Sequence, residues 1–209
     1  IRDSLRSALT YFDEAIEIDP THVRARLNRT SIHMANENAQ AALDDANVLL
    51  ELAPGLALAK LRKAEANMML SNWEEAKDDL EQIVEDAPHH HHALTQLASC
   101  FMAMDRPEKA EAPLNEALRL APEHTEAWHQ RGLLYLDWAQ EESALNDFEA
   151  AVRCDGNHLG ARLRIAAIHH KAERFSEALG AWNGVLAIEP EHTVARRRRE
   201  ECEMAIATM

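Results

Sequence analysis

The chain has 209 residues with 22 Lys and Arg against 36 Asp and Glu, a formal net charge of −14. That balance argues against nucleic acid and anionic membrane as principal partners, since both demand a basic face, and no uncharged stretch approaches the roughly 18 apolar residues of a membrane span. Aromatics are only 5% and glycines number six, so a single globular core built on large side chains is disfavoured, while the abundant Ala, Leu, Glu and Arg favour helix.

Taken in chain order, residues 1–22 are expected to form one helix, the second of a partial pair. Antiparallel helix pairs follow near 23–56, 57–90, 91–124, 125–158 and 159–192, and 193–209 closes the chain as a single helix. The division rests on self-similarity. Pro20, Pro54, Pro88 and Pro122 are spaced by 34, Pro190 falls two periods later, and Gly156 fills the skipped slot. Two alanine columns run unbroken in phase with them: Ala25, Ala59, Ala93, Ala127, Ala161 and Ala195, and Ala8, Ala42, Ala76, Ala110, Ala144 and Ala178. A small residue once per helix lets two helices approach closely, and larger neighbours at i±3 and i±4 fill the gaps around it. Proline just past a helix end cannot extend that helix and suits the first turn of the next. Polar breaks such as Ser71-Asn72 and Asp105-Arg106-Pro107 mark the turns inside a pair. Pro113 falls inside an expected helix, where it should cost a hydrogen bond and cause a kink. In the last segment Arg196–Arg199, Glu200, Glu201 and Glu203 form a polar side, while Val194, Ala195, Cys202, Ile206 and Met209 can dock on the preceding pair, so the segment is expected to cap the array.

Little here points to chemistry. There is no Gly-rich phosphate loop, no GxSxG, no HExxH and no GxGxxG behind a strand, so no enzyme, catalytic residue or cofactor is expected. Cys100, Cys154 and Cys202 are odd in number and form no CxxC, which suits a reducing compartment and a cytoplasmic setting. Cys100 and Cys202 share a column expected in the core, without reactivity. The run His89-His90-His91-His92 lies at a turn between pairs and is expected to be a polar turn, not a metal site. His22, His90, His124, His158 and His192 form another column. Successive repeats lie roughly 8–10 Å apart and zinc ligands about 2 Å from the metal, so successive members cannot share an ion; histidine is expected to replace a small polar turn residue. No metal is assigned. The chain begins at Ile1 without an initiator methionine or a basic-then-apolar leader, and is expected to be a fragment of something longer or a processed product.

Thr125–Gly156 carries Trp128, Gly132, Tyr135, Ala144, Phe148 and Ala151, and in these residues and in its period the chain resembles the tetratricopeptide repeat (TPR) family. Lys60 and Arg162 depart from the aromatic the family favours. The resemblance implies an all-α fold, a right-handed α-solenoid of antiparallel helix pairs with about 12 helices, covering 1–209 as one domain. It also implies that the first helix of each pair lines a concave face, and that the protein is a scaffold holding a peptide or helical segment of a partner there.

Several columns fall on those first helices. Asn28, Arg62, Gln96, Gln130, Arg164 and Arg198 are hydrogen-bond donors in six successive slots, suited to a peptide backbone or carboxylate or, alternatively, ordinary solvated positions. Leu27, Leu61, Thr95, His129 and Leu163, with Leu58, Leu133 and Leu136, either offer an apolar strip or pack against neighbouring helices. Met34, Met68, Met102, Leu136 and Met204, interrupted by His170, are either packing or an adaptable binding strip. Asn28-Arg29-Thr30 and Arg62-Lys63-Ala64 resemble parts of the carboxylate clamp of TPR co-chaperones, but Leu58 stands where that clamp expects lysine. The expected partner is a protein or peptide; alternatives are a targeting or regulatory region of a larger enzyme, and a scaffold that self-associates.

Overall fold

The computed structural model describes residues 2–208, with side chains from Ser7 onward. Among them are twelve α-helices, one 3₁₀ turn and no strand, and none of the helices is long and apolar enough to cross a membrane. They fall into two compact units, Ile1–Arg106 and Pro107–Met209. The first holds α1 (Arg2–Ile18), α2 (Val23–Ala35), α3 (Ala39–Leu52), α4 (Ala57–Met69), α5 (Trp73–Asp86) and α6 (His91–Ala103). The second opens with the 3₁₀ turn Pro107–Lys109 and continues through α7 (Glu111–Leu120), α8 (Thr125–Asp137), α9 (Glu141–Cys154), α10 (Leu159–Lys171), α11 (Phe175–Ile188) and α12 (Thr193–Ala207). Within each unit every helix packs on the next in sequence.

The alanine columns are buried within that packing. Ala25, Ala59, Ala93, Ala127, Ala161 and Ala195 are at most 3% exposed, and Ala42, Ala76, Ala110, Ala144 and Ala178 are fully buried; Ala8 alone is half-buried. Larger side chains fill the space around them, Leu49, Leu80, Leu114, Phe148 and Val185 being wholly enclosed. Gly132 is needed beside one of them: a Cβ there would stand 2.7 Å from Phe148 Cε1.

The turns repeat as strictly as the core. Glu37, Ser71, Asp105, Ala139 and Glu173 all adopt φ between 56° and 61°. At each, two amides bond back to the ending helix, as in Ala139 N–H to Leu136 O (2.9 Å) and Gln140 N–H to Tyr135 O (2.8 Å). This is the paired bonding that ends many helices on glycine, here achieved five times without one.

The departure at Pro113 takes a different form from a mid-helix kink. Proline has no N–H to give Lys109 O, so the helix expected from 107 starts as a 3₁₀ turn, with Ala110 N–H on Pro107 O at 3.0 Å, and becomes α-helical only at Glu111. In α12, Ala195 and Cys202 are buried as expected, whereas Val194 (46% exposed) and Ile206 (37%) do not dock. Val194 lies in the first turn of α12 and Ile206 in the last, at the margins of the stretch between Ala195 and Cys202. Met209 lies outside the described residues.

Candidate functional site

Helix starts explain the histidine column. His22, His90, His124, His158 and His192 are N-caps of α2, α6, α8, α10 and α12, each accepting through Nδ1 from the alanine amide three residues on, at 3.0–3.2 Å. Imidazole thus satisfies one of the open amides of the first turn, the task of Ser, Thr, Asp or Asn at this position. Leu56, the sixth member, caps α4 with no side-chain bond.

The residues standing where the family favours an aromatic are equally interpretable. Trp128 Nε1 donates to Pro122 O at 2.8 Å. Arg26, Arg162 and Arg196 make the corresponding bond to the carbonyl six residues before them, at 2.9, 2.8 and 2.7 Å. Lys60 instead reaches Asp86 at 2.9 Å. An N–H on a long side chain serves the same carbonyl as the indole.

On the first helices of the first unit, Asn28 (α2) is exposed while Arg62 (α4) and Gln96 (α6) are half-buried. The latter two converge on Glu65: Arg62 Nη1 at 2.6 Å and Gln96 Nε2 at 3.2 Å, with His92 Nε2 at 3.4 Å. Burial works to raise the Glu65 carboxyl, but the bonds from His92, Arg62 and Gln96 outweigh it and hold the group below its ordinary range. In the second unit Gln130 (α8) donates to Glu126 at 2.6 Å, Arg164 (α10) is exposed, and Arg198 (α12) contacts Glu201 at 2.8 Å and His170 at 3.2 Å. Burial also works to raise the Glu126 carboxyl, and His129, Gln130 and His158 together overcome it and hold the group low. Neither row is a bare line of donors. Glu65 engages donors of the first, and Glu126 and Glu201 donors of the second.

The apolar columns divide. Leu61 and Thr95 are buried and belong to the packing, Leu58 is exposed, and Leu27, Leu133, Leu136 and Leu163 are half-buried. Met34, Met68 and Met102 are half-buried, and Met204 is exposed. Cys100 and Cys202 are buried, and burial pushes the Cys100 thiol up to about 11, consistent with an inert core sulfur; Cys154 is exposed.

Two groupings lie outside those columns. One is an ion pair between a first helix and the second helix sixteen residues on. Asp45 takes Arg26 (3.0 Å) and Arg29 (2.6 Å), Lys63 meets Asp79 at 2.8 Å, and Arg131 holds both oxygens of Asp147 at 2.8 and 2.9 Å while lying 4.8 Å from the Trp128 ring. Leu97 with Pro113, and Ile165 with Ala181, occupy the same two positions elsewhere. The spacing is present in the sequence as a cation column followed sixteen residues later by aspartate. The other is Glu126, His129 and His158, whose donor atoms lie within 4.8 Å of one another. Comparing members of the histidine column only with each other overlooks it, because His129 belongs to a different column.

Profiles described as tetratricopeptide repeat match residues 2–57, 67–132 and 125–158. No curated protein matches the sequence. Among solved structures, a thermophilic TPR protein of Thermus thermophilus is similar over 87% of this chain and 99% of its own, with 20% identity and a TM-score of 0.73. YrrB, described as a TPR protein with an unusual peptide-binding site, shares 22% identity over 90% of this chain and 97% of its own, with a TM-score of 0.61. PilF of Pseudomonas aeruginosa shares 18% identity over 89% and 87%, with a TM-score of 0.76.

Proposed function

The chain belongs to the tetratricopeptide repeat family, and from that premise we propose that it is a protein-interaction scaffold whose first helices hold a peptide or helical segment of a partner. The observation that carries this reading is the cluster on Glu65. Arg62, Gln96 and His92 reach one half-buried carboxylate from α4 and α6, so donors and an acceptor stand together on successive first helices. A peptide main chain presents N–H and C=O in alternation, and a row of mixed polarity matches it. In the first unit the row is Asn28, Arg62 and Gln96, flanked by Leu27, Met34, Met68 and Met102. In the second unit it is Gln130 and Arg164. Leu61 supports the first row from within the core. We assign the chain no catalytic activity; a cytoplasmic, reducing setting suits its three free cysteines.

A random peptide library panned on the intact protein supplies a ligand, and fluorescence polarisation then measures its affinity. Arg62→Ala, Gln96→Ala and Gln130→Ala together should weaken binding more than tenfold with helix content unchanged. Unaltered affinity for every selected peptide contradicts the reading.

A second reading, self-association, is favoured by α12, where Val194, Met204 and Ile206 are exposed. Light scattering over a concentration series decides it, a strict monomer counting against.

A further inference from the structure

We propose that Glu126, His129 and His158 form a binding site for a divalent transition-metal cation of the zinc class. The three residues come from the first two turns of α8 and the N-cap of α10. Glu126 and His129 are one helical turn apart on α8, with Glu126 Oε1 3.8 Å from His129 Nδ1, and Glu126 Oε2 lies 3.8 Å from His158 Nε2. The imidazole centroids are 4.7 Å apart. Tetrahedral zinc with arms of about 2 Å sets its donors roughly 3.3 Å apart, so small side-chain rotations close the set. Two imidazoles and a carboxylate leave a fourth position open, and imidazole nitrogen selects zinc, copper or nickel over calcium or magnesium.

Three further observations support the assignment. His129 Nδ1 is enclosed, makes no hydrogen bond and faces Glu126 Oε1 at 3.8 Å, so a cation between them would satisfy both groups. Gly160 lets the rings stand where they do: a Cβ there would lie 3.2 Å from His129 Nε2 and 3.4 Å from His158 Cε1. Gln130 Nε2 steadies the Glu126 carboxylate at 2.6 Å, as an outer-shell donor steadies a metal ligand.

The site competes with the helix cap. His158 Nδ1 accepts from Ala161 N–H at 3.0 Å, which places the proton of the neutral ring on Nε2. Ligation through Nε2 moves that proton to Nδ1, and the Ala161 amide loses its acceptor. Loss of a cap weakens metal affinity by about fivefold relative to an uncoupled site, and it gives the site a signature that the His89–His92 run lacks: cation binding loosens the start of α10.

The test is isothermal titration of the intact chain with zinc chloride in buffer free of chelators, with cobalt absorption to report a tetrahedral site. One equivalent should bind. His158→Asn retains a capping oxygen but not a ligand, so it should keep the thermal stability of the parent and lose at least tenfold in affinity, as should Glu126→Gln and His129→Ala. His89→Ser with His91→Ser should leave that equivalent in place. In the parent protein, zinc should speed hydrogen exchange at the Ala161 amide. Absence of a tight equivalent, its persistence in both His158→Asn and Glu126→Gln, or its loss only on replacing His89 and His91 overturns the proposal.

Discussion

The hairpins α8–α9 and α10–α11 solve one packing problem with different chemistry. In the first, Gly132 lies against Phe148, Trp128 binds the carbonyl of Pro122, and Arg131 and Asp147 pair between the helices. In the second the same positions hold Ala166 and Trp182, Arg162 on the carbonyl of Gly156, and Ile165 with Ala181. Both hairpins keep the buried alanines: Ala127 and Ala144 in one, Ala161 and Ala178 in the other. The alanines set how close the helices come. The remaining positions exchange in matched sets, a charge with its counter-charge and a large ring with a small neighbour, because a mismatched set leaves a charge unpaired or a volume unfilled.

The largest effect should come from breaking one set. Arg131→Ile leaves Asp147 buried without its guanidinium, at a cost of about 3 kcal/mol in urea denaturation. Adding Asp147→Ala converts the pair to the composition of α10–α11 and should recover most of the loss; a double variant no better than the single one breaks the comparison. Next, Gly132→Ala forces a methyl against Phe148 and should cost about 2 kcal/mol, read as a lowered thermal midpoint. Combining it with Phe148→Leu should relieve part of that cost.

A smaller gain is expected at the turn joining α8 and α9. Ala139 adopts φ 56°, where a Cβ is disfavoured, so Ala139→Gly should stabilise by about 1 kcal/mol. The smallest effect concerns pH. Glu65 is held below its ordinary value of 4.5, so its contribution is fully present above the unfolded value and is lost as pH falls through the folded one. Glu65→Gln should flatten that part of the acid-stability profile, measured by denaturation at successive pH values.

The repeat and its helices were legible because each alanine and proline reports a steric requirement that recurs at one phase. The polar chemistry was legible only in part. The histidine column stands out, but its role as an N-cap depends on Nδ1 reaching an amide three residues on, and periodicity does not record that distance. The donor column is visible residue by residue, whereas the carboxylates that engage it are irregular: Glu65 and Glu126 occupy different repeat positions. Leu61 and Leu58 look alike in sequence, yet one is core and the other exposed. Three residues along a helix leave their side chains roughly 60° apart, enough to carry one from the core to its edge. Pro113 is visible as a fault, but whether the helix bends there or starts late depends on how little helix precedes it.

The claim that the first helices bind a partner segment is tested most directly by amide hydrogen exchange on the intact chain, with and without a selected peptide. The expected result is added protection in α2, α4 and α6 or in α8 and α10, with α3, α5, α9 and α11 unchanged. Protection confined to the second helices would contradict it.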